Sequence, residues 1–164
     1  MSNFKKLTSA AFSYEAIIGK AYYVKGTEVW IVNTTRYTRT TSKHQFKLKQ
    51  QLTQESKEFI PITTHIYTLN SFTIGDESSL KALFETIREE MTASNAYSLE
   101  KIANLLGIPF DKDAYWDACK EKFIEELLQA ANKRPVSVPR WVKNFNPFIY
   151  SKLKILNAAH RKAV

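Results

Sequence analysis

The spacing of apolar residues changes along this chain, and the change restricts it to folds in which strands come before helices. Ala16 to Lys25 and Glu28 to Thr40 read as two strands joined by a tight turn at Gly26-Thr27, a hairpin. On the return strand Trp30, Val32, Thr34, Arg36 and Thr38 share one face, and Val29, Ile31, Asn33, Thr35, Tyr37 and Arg39 share the other. Both faces begin apolar and end polar, so the strand is expected to leave the core part-way and offer its far end to solvent. Glu58 to Phe72, rich in Ile, Thr, Tyr and Phe, predicts one or two further strands bent at Pro61.

From Asp76, a helix cap, the period becomes helical. Leu80, Leu83, Phe84, Ile87 and Met91 stand at i, i+3, i+4, i+7 and i+11, a complete core stripe. A short helix follows from Leu99 to Leu106, capped by Ser98 and ended by Gly107 and Pro109. A longer one runs from about Lys112 to Asn132, with Trp116, Cys119, Phe123, Leu127 and Ala131 on one side. Asn146-Pro147 opens a last helix that puts Ile149, Leu153, Leu156 and His160 on one face. Residues 1–15 have no clear period and read as an arm. The expected class is therefore α+β: an N-terminal antiparallel hairpin or sheet with a basic helix, then a mostly helical C-terminal half.

Charge divides the chain differently from hydrophobic period. Residues 1–57 hold ten Lys/Arg against three acids, residues 58–132 six against thirteen, and residues 133–164 eight against none. This predicts a β-rich basic part (1–75), an acidic helical part (76–134) and a basic linker and helix (135–164) within one compact domain of 164 residues. If the two basic ends meet, they form a footprint for phosphates; if they pack on the acidic middle, they are neutralised instead.

The stretch NTTRYTRTTSKHQFKLKQQL concentrates the first basic block. Ser42 with Gln45 three residues later has capping-box spacing, so a helix is expected from Ser42 to about Thr53. Arg36, Arg39 and Lys43 would supply charge to an anion at its opening, and Thr40, Thr41 and Ser42 hydroxyl and backbone donors. His44, Lys47 and Lys49 continue the cluster. Its bland counterpart is a Thr-rich edge strand leading into a solvated helix.

Within this stretch RYTRTTSKHQ resembles a Tyr-x-x-Thr-Thr-Ser-Lys-His-Gln pattern found in small proteins of bacteriophages and other mobile elements. The resemblance covers about ten residues. It implies a setting, a phage accessory protein that binds nucleic acid or disables a host machine, and no catalytic residue.

A second stretch, SLEKIANLLGI, resembles the front half of a helix-turn-helix, with Ala103, Gly107 and Ile108 at that motif's spacing. The following helix would present Asp111, Asp113, Asp117 and Glu121 to DNA, which phosphates repel, so a structural corner is expected. In the tail Arg140, Lys143, Lys152 and Lys154 interleave with Trp141, Phe145, Phe148 and Tyr150. The cations are candidates for phosphate contact, the aromatics for either core or base stacking.

Catalytic signals are poor. His44, His65 and His160 lack partners at metal-ligand spacing, four unclustered glycines form no phosphate loop, and Cys119 lies on an apolar helix side. Neither catalysis, a metal nor a cofactor is expected. With one cysteine, no apolar run of signal-peptide length and no membrane span, the expected compartment is the cytoplasm, a host's if the chain is phage-encoded. The leading expectation is a non-enzymatic protein that binds DNA or RNA through a bipartite basic surface. The alternative is an anti-defence inhibitor, like an anti-CRISPR protein, acting on a host protein or nucleoprotein complex.

Overall fold

The computed structural model describes residues 3–72 and 74–162. The chain divides into two compact units, residues 1–115 and 116–164. The first is built on a five-stranded sheet and the second is helical, so the class is α+β.

Five strands stand in sequence order across the sheet: β1 (Phe4–Lys6), β2 (Ala10–Ser13), β3 (Ala16–Val24), β4 (Thr27–Asn33) and β5 (Phe59–Ile62). The first four pair antiparallel, and β5 runs parallel to β4 with Trp30 opposite Phe59 and Asn33 opposite Ile62. Of the expected arm, residues 1–2 lie outside the described residues, and residues 3–15 are no arm. They supply β1 and β2, whose three and four residues are too few to show an alternation in sequence. The β3–β4 turn falls one residue earlier than expected, at Lys25-Gly26, both with positive φ as a type I′ turn requires. β4 ends at Asn33 rather than Thr40, and of 58–72 only β5 is strand, with Thr68–Ser71 a 3-10 turn. Pro61 is tolerated because β5 lies at the sheet edge.

Helix α1 (Arg39–Gln54) connects β4 to β5, the crossover that a parallel pair needs. Its apolar seam, Leu48 and Leu52, packs with Ala11, Ile18, Ala21, Trp30 and Val32 in one core cluster. Gly19 permits that approach: a Cβ there would lie 2.5 Å from Leu48 Cδ2. Helix α2 (Glu77–Glu89) is capped by the Asp76 carboxylate, which accepts from Ser79 N at 2.7 Å, and packs on β3. It buries Leu80, Leu83, Phe84 and Ile87, while Met91 lies just past its end. α3 (Ala96–Leu106) starts two residues before Ser98 and ends on left-handed Gly107, making the expected corner.

α4 (Lys112–Ala131) runs across the boundary between the units. In the second unit its buried seam is Cys119, Ile124 and Ala131, leaving Phe123 at 40% exposure. Ile124 and Ala131 join Val142 of α5 (Trp141–Phe145) and Leu153 of α6 (Pro147–Lys162) in a core that also takes in Trp141, Phe145 and Tyr150. Buried Asn157 holds the linker, accepting from Val136 N at 2.9 Å and donating to Val136 O at 2.8 Å. Among the described residues no helix is long and apolar enough to cross a membrane.

Candidate nucleic-acid interface

Where β4 stops, its carbonyls lose their ladder partners, and side chains take over. Asn33 is fully buried; its amide nitrogen donates to Tyr37 Oη at 3.1 Å and Thr64 O at 3.3 Å, and its oxygen accepts from Thr35 N at 3.1 Å. Thr35 Oγ1 donates to Thr64 O at 3.0 Å and accepts from Thr64 N at 2.9 Å, while the Tyr37 hydroxyl also donates to Thr64 O. From the helix side, Gln45 Nε2 donates to Asn33 O at 2.8 Å and Thr35 O at 2.9 Å. Residues 33–37 are therefore fixed against both Thr64, just past β5, and α1.

The extended segment ends at Thr38, whose hydroxyl accepts from Thr41 N at 3.1 Å and caps α1. This corrects the expected start at Ser42, which lies inside the first turn with its N–H on Thr38 O at 2.9 Å. Gln45 closes no capping box, because the two carbonyls left open at the end of β4 take both its amide protons.

The helix divides its residues sharply. Thr41, His44, Gln45, Leu48 and Leu52 are buried, whereas Arg39, Lys43, Phe46 and Lys47 are exposed. Arg39, Ser42, Lys43 and Phe46, at i, i+3, i+4 and i+7, form one face. That face and Arg36, Tyr37 and Thr38 line a hollow of about 450 Å³. Phe46 is 60% exposed. The described ion pairs lie elsewhere, Lys6–Glu55, Lys57–Glu28 and Arg88–Glu85, so Arg36, Arg39 and Lys43 face solvent without a carboxylate partner. Between Glu28 and Glu55 the sequence has five cations and no acid.

Of the residues expected to act together, the hollow gathers Arg36, Arg39, Ser42 and Lys43. Thr41 and His44 point instead into the protein, toward Ser13. The Ser13 hydroxyl lies 3.2 Å from Thr41 Oγ1 and 2.7 Å from His44 Nδ1, and the Phe4 and Tyr14 rings flank the imidazole at 5.7 and 5.9 Å. Burial, with the nearby Lys47 charge, pushes the His44 pKa below the ordinary imidazole value. Lys47 is exposed with its ammonium 5.2 Å from the Phe4 ring, and Lys49 is half-buried outside the hollow. Arg140, Lys143, Lys152 and Lys154 are exposed in the second unit, Lys154 standing 5.3 Å from the Tyr150 ring.

Sequence reasoning passed over Tyr37 and Phe46 as wall residues. Phe46 had a signal: an aromatic one turn past Lys43 and out of line with the Leu48–Leu52 seam. Tyr37 had none, because its anchor, Thr64 O, is remote in sequence.

Compared with known proteins, the chain matches no family model, no curated protein and no solved structure.

Proposed function

We propose that this is a non-enzymatic nucleic-acid-binding protein whose hollow at the start of α1 holds the phosphate backbone of DNA or RNA. The observation that carries the reading is the set of three exposed, unpaired cations, Arg36, Arg39 and Lys43, around a concave surface fixed by hydrogen bonds. Phosphate recognition wants fixed cations plus hydroxyl donors, and Thr38 and Ser42 supply the hydroxyls. Exposed cations on a prebuilt surface lose little desolvation energy when they meet a polyanion, and they release its counterions. The exposed cations of the second unit add phosphate contacts of their own. The setting is the one implied by the Tyr37–Gln45 string, an accessory protein of a phage or mobile element, acting in the cytoplasm of its host.

Fluorescence anisotropy with a labelled oligonucleotide across a salt series tests the reading. Three contacts from the hollow contribute about −2 to the slope of log K against log salt for a single strand. Arg36→Glu/Arg39→Glu/Lys43→Glu is expected to fold, since all three are exposed, and to lose most of the affinity. Absence of binding by the wild-type chain at the lowest salt overturns the proposal.

A further inference from the structure

The hollow contains more than a phosphate site requires. Phe46 is one of the largest exposed apolar side chains of the first unit, yet it stands among cations on a helix face that is otherwise polar. An exposed phenylalanine adds nothing to phosphate binding, because phosphates offer it neither an apolar surface nor a π face. It does suit a nucleobase. Tyr37, which lines the same hollow, is half-buried and fixed at its hydroxyl by Asn33 Nδ2 and Thr64 O, so its part of the wall keeps its shape. The volume, about 450 Å³, lies within the ~300–1,000 Å³ of sites that take a single small ligand.

Resting on the reading above, we infer that the ligand is single-stranded nucleic acid, with one unpaired base seated in the hollow against the Phe46 ring and its flanking phosphates on Arg36, Arg39 and Lys43. The reason for a single strand is steric. In a duplex each base face is covered by its neighbours, and only an unstacked base can present a face to a side chain. Arg36 and Arg39 also have planar guanidinium groups that stack on bases as well as pair with phosphates, so the hollow is suited to both parts of a nucleotide. Stacking is tolerant of base identity, because every base has a π face, and weak sequence preference is expected.

The test uses the full chain, a labelled oligo-dT strand and a hairpin duplex with the same number of phosphates. Wild type is expected to favour the single strand. Phe46→Ala and Phe46→Leu should weaken single-strand binding about tenfold or more while changing duplex binding less than about twofold. Phe46→Tyr, which keeps a ring, should restore it. Lys43→Glu should weaken both ligands. Because Phe46 is largely exposed, these variants are expected to keep the wild-type circular dichroism spectrum. Equal effects of Phe46→Ala on both ligands, or an unaltered affinity, overturns the base site and leaves phosphate binding standing. Failure of wild type to bind either ligand overturns both readings.

Discussion

At His44 a titratable ring has been taken out of water and given one polar neighbour, the Ser13 hydroxyl at 2.7 Å, with two aromatic rings around it. Burial favours the neutral form, so the folded-state pKa lies below that of the unfolded chain. Above about pH 6.5 the ring is neutral in both states and its packing contributes fully. As pH falls below that value, the unfolded chain takes up a proton that the fold resists, and stability declines until the folded pKa is passed. Urea midpoints measured at about pH 7 and about pH 5 should therefore separate for wild type and draw together in His44→Gln. Parallel pH profiles for the two proteins would contradict this. At neutral pH the substitution should cost about 1 kcal/mol, the net worth of one hydrogen bond, since the Ser13 hydroxyl keeps Thr41 Oγ1 as a partner. The same residue shows the limit of reading the string Tyr37 to Gln45 as one surface. In sequence Thr41, Ser42, Lys43 and His44 are a single polar run. A helix turns each by about 100°, so Ser42 and Lys43 face the hollow while Thr41 and His44 face Ser13. Which way the helix faces depended on Leu48 and Leu52, only two apolar residues, and on Ser13, which belongs to a strand that had no periodic signal.

Between elements, two glycines set how closely the first unit packs, and they differ in what a side chain would meet. At Gly19 a Cβ would press on Leu48 Cδ2, the end of a flexible side chain that can rotate away within the α1 seam. At Gly75 it would lie 2.5 Å from the carbonyl oxygen of Ala21, within β3, beside the bond from Tyr23 N to Gly75 O. A backbone carbonyl inside a paired strand cannot move without disturbing its ladder. Gly19→Ala is expected to cost about 1–3 kcal/mol, as overpacking does, and Gly75→Ala more than about 3 kcal/mol. Denaturation midpoints give the order, and a larger loss for Gly19→Ala would reverse the argument. Helices such as α2 were legible because Leu80, Leu83, Phe84 and Ile87 carry a complete 3.6-residue period and Asp76 marks the start. The parallel β4–β5 pairing was not, since nothing within Phe59–Ile62 declares which strand it will join. That choice is made by the distance α1 can span and by Asn33 and Thr64 meeting at its end.

Over the whole chain, the charge blocks of the sequence and the compact units of the structure have different boundaries. The acidic block, residues 58–132, is shared between them. The first unit holds fourteen Lys/Arg against twelve Asp/Glu, net +2, and the second ten against four, net +6. The blocks were legible because charge is counted locally; the division inside α4 was not, since it depends on which apolar residues cluster in space. Net charge of this size acts on a polyanion without reading bases, whereas the α1 hollow combines charge with an aromatic face. Substitutions in the two units should therefore have separable signatures. Lys152→Glu/Lys154→Glu removes two exposed cations of α6 that lie apart from the second unit's buried core. It should weaken single-strand and duplex binding by similar factors and flatten the single-strand salt slope by about 1.4, the equivalent of two phosphate contacts. Phe46→Ala, by contrast, should change the ratio of the two affinities and leave the slope as it was. If the α6 pair alters neither affinity nor slope, Lys152 and Lys154 take no part in holding the strand.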